Sequence, residues 1–459
     1  MLNFLTDLKL YKVYTLLIKQ FFRSKTVFLV LGISIFLGTL SIGTGKQFLN
    51  QKQIAIEKTI EQQEKHLITQ VDLHKDDIGL LLYYLKFSFI NSLKPIAGLA
   101  IGQSDVNSHI QNVSILNLEG QKYDTDLVNP MRLQVGNLDF SFLMICLFPL
   151  IVIALNFNLL SEEEEKGTWK MVRIQERSLF KYLLLKLSIR FLFVSLILIF
   201  LILASKVFLR ISVDLDFWYI TIISFTYIIF WFLVSFFVVL LRKSSNTNAI
   251  VLLTLWLVLV VLLPVMTNNY ITNKYPVKEA FTMIIKQRDG YHKKWDTDKR
   301  ATMEKFYNHY PQFKKYGVKE NGFSWLWYYA MQQMGDDESI LERGLLNDKI
   351  KKREDLGKSI ARFFPPLQVQ LTMNSIAKTS LADQMNFLKA TSSFHERLRL
   401  DFYPKVFDNV KVSDVDWKSY KPEYFNNAQR ENVFNSILPI LFIMLILSGA
   451  CIFIGVQKI

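Results

Sequence analysis

Apolar residues fall along this chain in six long runs, separated by three short polar stretches and two long ones. The runs are Thr26–Gly43, Asp139–Leu160, Leu187–Leu209, Trp218–Leu241, Ala249–Met266 and Phe434–Val456. Each reaches the roughly 17–25 residues with which a helix crosses a hydrocarbon core of about 30 Å. The pattern before the first run differs: Phe4, Leu8, Tyr11, Thr15, Ile18 and Phe22 recur at helical spacing, with Lys9, Lys12 and Lys19 on other faces. That predicts an amphipathic helix over 1–25, lying flat on the inner leaflet or, alternatively, folding as an ordinary cytoplasmic helix. The two long polar stretches, 46–138 and 267–433, read as mostly helical, with candidate helices at Gln51–Gln70, Val277–Gly290, Thr297–His309, Asp337–Phe363 and Leu381–Tyr403. Asp336 and Asp337 are candidate caps, Ser380 with Asp383 has capping-box spacing, and Pro365–Pro366 separates two helices. Gly79–Ile90 is apolar but too short to span, and is expected as a buried or re-entrant helix. Pro264 is expected to kink or close the fifth span. The fold class that follows is an all-α polytopic membrane protein with six transmembrane helices, an N-terminal interfacial helix and a mostly helical extracytoplasmic domain.

Charge gives the orientation. The short stretch after the second run carries Lys166, Lys170, Arg173, Arg177 and Lys181, and the turn RKSSNTN follows the fourth run. Short basic loops stay on the cytoplasmic side, so both termini are expected there and the two long stretches outside. The fifth run is the weak point of this scheme: were it not to cross, the large polar region would move to the cytoplasm. The first run lacks a small-residue cleavage site and is expected to persist as a span.

Composition adds that 51% of the 459 residues are hydrophobic and that the mean hydropathy is +0.21, more than a soluble core requires. The net charge of +14 forms no single stripe and accompanies no nucleic-acid motif, so topology and anionic lipid account for it better than a nucleic-acid partner. Cys146 and Cys451 lie inside apolar runs, where they pack as small hydrophobes rather than form disulfides or metal sites.

Candidate chemistry is sparse. SIGTGKQ (Ser41–Gln47) resembles a phosphate loop, yet Leu40 and Gln47 stand where the motif needs Gly and Ser/Thr; Gly38, Gly43 and Gly45 are expected to allow close packing instead. Glu162, Glu163, Glu164 and Glu165 are consecutive, so on a helix they diverge and cannot enclose one ion; they are expected as solvated charge at a helix start. The histidines show no metal-ligand spacing. Arg190 lies inside the third run and is a candidate pathway or interface residue, whereas Lys206 and Arg210 are expected to snorkel. SWLWYYA (Ser324–Ala330) reads as core or as membrane-interface aromatics. No catalytic residue and no metal ligand is assigned.

Two stretches carry a family resemblance. Glu165, Gly167 and Thr168 between two spans, a basic amphipathic segment after them and Lys186 at the head of the next span resemble the membrane subunit of ABC-2 type exporters; Gln175 stands where the family has proline, with Ser178 following. Phe363–Pro404 is similar to the outer domain of a branch grouped with gliding-motility and copper-enzyme-maturation permeases, with Lys378 where a Gly often precedes the position of Thr379. The resemblance implies a permease in the bacterial inner membrane, paired with a second permease subunit as a homodimer or heterodimer. It also implies two ABC ATPase subunits that hold ATP and Mg, with no cofactor in this chain. Glu165, Gly167, Thr168, Lys170, Arg173 and Lys186 are then the ATPase-coupling residues. Trp169, Val172 and Phe180 supply apolar surface for such docking. Two rival readings stay open: a mechanical subunit relaying ATPase motion to envelope proteins, and a membrane-anchored enzyme with its site in the outer domain.

Overall fold

The computed structural model describes residues 14–122, 137–175, 178–293, 295–296, 298–319, 322–427 and 433–458. Helix α1 occupies 14–23, so most of the predicted interfacial helix, with Arg177 of the basic loop, lies outside the described residues. After a bend at Ser24, α2 runs without a break from Lys25 to Leu73. The expected boundary at 46 between span and polar segment is therefore not a structural boundary. Nothing in this stretch stops a helix: it holds no proline, and its polar half carries i,i+4 pairs such as Glu61–Lys65 and Gln53–Glu57. Its 49 residues rise about 73 Å at 1.5 Å each, more than twice the hydrocarbon thickness.

Among the described residues five further helices are long and apolar enough to cross a membrane: α4 (Phe140–Glu165), α6 (Leu179–Leu209), α7 (Leu215–Leu240), α8 (Ser245–Lys274) and α15, whose spanning part is Val433–Gly455. With α2 they make this a predominantly helical membrane protein. Between α4 and α6 lies the short helix α5 (Trp169–Gln175). Two of the spanning helices, α4 and α7, are mostly buried, while the apolar window of α8 is only 6% buried. Pro264 neither closes nor ends α8; the helix passes through a π segment, Leu257–Leu262, and continues to Lys274.

The remaining chain builds a head at the far end of α2. It contains α3 (Ile78–Tyr84), α9 (Glu279–Lys293), α10 (Lys299–His309), α11 (Trp325–Glu338), α12 (Ile340–Ala361), α13 (Pro365–Ile376) and α14 (Leu381–Phe407). Asp336 and Asp337 are not caps: they sit in the last turn of α11, an unpredicted helix made by SWLWYYA and the residues after it, whose aromatic side chains are largely core. The capping box of Ser380 and Asp383 forms at the start of α14. The apolar stretch Gly79–Ile90 splits into α3 and a strand, β1 (Phe87–Asn91). β1 is the centre of a three-stranded sheet, antiparallel to β2 (Ile110–Val113) with Phe87 opposite Val113, and parallel to β3 (Glu423–Phe425) with Phe89 opposite Glu423. The sheet draws together three segments far apart in sequence, which local periodicity does not show. Gln63 of α2 fastens the strut to it, accepting from the Ser88 amide and donating to the Tyr420 carbonyl.

Among the described residues there are two hydrophobic cores, one among the spans and one in the head. α13 belongs to the head in sequence, yet Val369, Met373, Ile376 and Ala377 pack into the span core. Beside it Thr379 donates to the Ala100 carbonyl, and Asp139 accepts from the amides of Ile101 and Phe142 at the start of α4. Head and spans are thus joined by α2, by α13 and by the segment around 95–105.

Candidate functional site

α4 is irregular in two places, and membrane helices tolerate irregular backbone only where other groups take up the freed carbonyls. At Leu143–Leu147 it widens into a π turn; the Ile145 carbonyl accepts from the Tyr227 hydroxyl and the Cys146 carbonyl from the Trp256 indole, each at 3.0 Å. At 157–160 the helix breaks into turns. There the carbonyls of Leu155, Phe157 and Leu159 accept from Arg190, Asn248 and Lys186 respectively. Much of the hydrogen-bonding capacity of the spans is therefore committed to the backbone of one helix.

The break in α4 leads into a knot of charges built on Glu162–Glu165. As four successive helical residues must, the glutamates point in different directions, and each finds its own partner. Glu162 pairs with Lys166 at 2.6 Å, and Glu164 with Arg242 at 2.6 Å. Glu165 accepts from the Ser245 amide at 2.9 Å. Glu163 turns inward, contrary to the expected solvated charge: it is 7% exposed and meets Lys186 at 3.1 Å. It also accepts from the Thr168 hydroxyl and, at 3.3 Å, from the Tyr182 hydroxyl. A carboxylate with an ammonium and two hydroxyls around it satisfies most of its acceptor capacity, which makes its burial tolerable.

These contacts bring together the ends of several spans. Arg242, in the turn between α7 and α8, lies between Glu164 and the ring of Trp169, 5.7 Å from its centroid. Ser161 and Ser245 share a hydrogen bond of 2.7 Å. Phe180 at the start of α6 occupies the space over Gly455 near the end of α15. The stretch 161–175, the α7–α8 turn, the end of α15 and helix α1 all stand at the end of the bundle opposite the head.

Of the residues singled out in the sequence, Thr168 and Lys186 meet at Glu163, and Glu165 bridges to Ser245. Gly167 has φ +73 with open space around it, so the turn needs glycine for its backbone conformation and not for close packing. Lys170 and Arg173 stay apart from this cluster, exposed on α5 beside Met171 and Ile174, which are 62% and 86% exposed. α5, described over 7 residues, lies where the basic amphipathic segment was expected. Arg190 lies one turn deeper than Lys186, buried against the Leu155 carbonyl. Sequence reasoning missed Glu163, Tyr182, Arg242 and Ser245. Tyr182 and Lys186 are four residues apart on α6, and that spacing was the available sign of a shared partner.

The head has its own buried charges, and they too hold backbone. Arg399 pairs with Asp336 at 2.8 Å and donates to the carbonyls of Ile115 and Leu116; His395 bonds the Leu116 carbonyl, and Asp336 accepts from the Leu118 amide. Burial holds the His395 imidazole well below its ordinary pKa. Among the described residues no group of three His, Cys, Asp or Glu is placed to hold a metal ion.

Within the head, residues 280–425 match a family described as a domain of unknown function, DUF3526. The matched segment begins at the second residue of α9 and ends on β3, so it covers the head's helices from α9 to α14 but only the last strand of its sheet. No curated protein and no solved structure matches the chain.

Proposed function

We propose that this chain is the membrane-spanning permease subunit of an ATP-binding-cassette exporter in a bacterial inner membrane, both termini cytoplasmic and the head outside. The observation that carries the proposal is the anchoring of 161–175. At its base the segment is fixed to α6 through Glu163–Lys186 and to the α7–α8 turn through Glu164–Arg242 and Glu165–Ser245, while α5 turns Lys170, Met171, Arg173 and Ile174 outward. A push on so fastened a segment moves whole helices, because packed elements shift as rigid bodies. The push would come from a partner ABC ATPase, two copies of which hold ATP and Mg, while the exposed apolar faces of α8 and α15 fit lipid or a second permease subunit. Cytoplasmic placement of the basic segment agrees with the positive-inside rule. In membranes containing the assembled complex, Glu165→Ala and Gly167→Val are expected to leave the protein inserted and ATP hydrolysis running, but to abolish export. Export at the wild-type rate in both variants would contradict the assignment.

A second reading rests on a separate observation. The unbroken α2 and the docking of α13 into the span core connect the charged junction to the head, as a mechanical relay to envelope proteins would require. Much of the polar capacity of the spans is tied to α4 carbonyls, which favours a lipid-like cargo or such a relay over passage of a hydrophilic solute. ATP-dependent accumulation of a solute in vesicles supports the exporter; ATP-dependent change in the head with no accumulation supports the relay.

A further inference from the structure

A cleft of about 140 Å³ opens where α1, the start of α2, the broken end of α4 and α6 meet. Gln20, Ser24 and Asn158 line its polar side together with Glu162, Lys186 and Arg190. The charges do not cancel. Glu162 is paired with Lys166, and Lys186 with Glu163. Arg190 is 9% exposed, bonds the Leu155 carbonyl through one terminal nitrogen, and has no carboxylate within ion-pair distance among the described residues. A buried guanidinium with one neutral acceptor leaves most of its five N–H donors unbonded; Glu162 and Glu163 act on its charge only through space, each already held in an ion pair with a lysine, whereas charged groups at such positions are otherwise paired directly.

The depth of the site points to what compensates it. Ser24 stands at the bend where the interfacial helix turns into a span, between Arg23 and Lys25, and Arg190 lies three residues into the apolar run that starts at Leu187, roughly 5 Å along the helix. That is the level of lipid headgroups. Just beyond the cleft, Phe28, Leu29 and Leu192 are exposed, at 58%, 61% and 42%, a surface along which acyl chains can lie. We propose that the cleft is a binding site for a phosphate group, held by the free guanidinium donors of Arg190 with Gln20 and Ser24 as neutral partners, while Asn158 donates to Glu162 at the rim. Arginine's planar fork suits phosphate oxygens, and its charge supplies the strong bonds. A phospholipid headgroup is the source that the apolar flank fits; soluble phosphate shares the chemistry. The site does not depend on the exporter reading.

The test is native mass spectrometry of the full-length protein in detergent, titrated with phosphatidylglycerol and with diacylglycerol, which has the same chains and no phosphate. The wild type is expected to bind phosphatidylglycerol at least ten-fold more tightly. Arg190→Gln is expected to reduce that preference to near unity. Ser24→Phe, which fills the cleft while leaving Arg190 and its carbonyl contact in place, gives the same readout should the arginine variant misfold. Lys58→Gln, which removes an exposed cation from the polar half of α2, is expected to leave the lipid preference unchanged. Displacement of the lipid by millimolar inorganic phosphate assigns the site to phosphate itself, and failure to displace assigns it to the lipid. Equal binding of the two lipids by the wild type, or an undiminished preference in the folded Ser24→Phe variant, overturns the proposal.

Discussion

Glu163 decides how the junction holds together, and it is one of four identical letters in the sequence. What separates it from its neighbours is the facing helix: Lys186, Tyr182 and Thr168 close on it and on no other glutamate of the run. Removing one partner of a buried pair costs more than removing both, since a lone buried charge remains. Lys186→Met is therefore expected to destabilise the protein by about 3 kcal/mol or more, and Glu163→Gln with Lys186→Met by distinctly less, read as thermal midpoints in detergent. A double variant at least as unstable as Lys186→Met would contradict the paired arrangement. Titration in the head gives a second expectation. Burial depresses the imidazole pKa of His395 and pushes that of His109 down to about 4. Both have folded values below the unfolded one of about 6.5, so on acidification the unfolded chain takes up protons first. Their contribution to stability is complete above about pH 6.5 and drains away as pH falls below it, for His109 until about pH 4. The thermal midpoint should drop between pH 7.5 and pH 5, and drop less in His109→Asn; equal drops would remove His109 from the account. None of this was legible in the sequence, because burial and partnership arise between elements distant along the chain.

Helices were the most readable level. The six apolar runs, the Ser380–Asp383 cap and the separating prolines all appear close to where hydropathy and capping rules put them. The misses share a physical cause. α2 runs past its expected end because a change from apolar to polar composition alters what a helix faces, not whether it is a helix. β1 lies in a stretch whose pattern reads as helix, because its strand character depends on β2 and β3, which local periodicity does not contain. Close packing was assigned to three glycines of α2, and the structure separates them. A Cβ at Gly38 would run into Leu201 and one at Gly45 into the Gly98 carbonyl, whereas Gly43 faces open space. Gly45→Ala is thus expected to destabilise by roughly 1–3 kcal/mol, an overpacking cost with backbone on the other side, while Gly43→Ala is neutral or slightly stabilising as helix propensity favours alanine. Equal effects at the two sites would mean that α2 does not lie against the 95–98 segment as described.

On the scale of the whole molecule, the division into a span bundle and a head was readable from hydropathy alone, and so was the position of a short basic segment between two spans. How the two bodies are joined was not. The strut of α2, the entry of α13 into the span core and the concentration of polar contacts on α4 depend on tertiary packing. That arrangement sets a charged junction at one end of the bundle and the head at the other, and the central claim is that an ATPase acts on the first. The most direct test places a cysteine at Ile174, 86% exposed on α5, away from Cys146 and Cys451 inside the spans. Cross-linking from this position is carried out in native membranes, and the captured proteins are identified by mass spectrometry. The account predicts capture of a soluble protein with an intact Walker A loop, lost when Glu165 to Thr168 are replaced as a block; repeated cross-linking that captures no ATPase would contradict it.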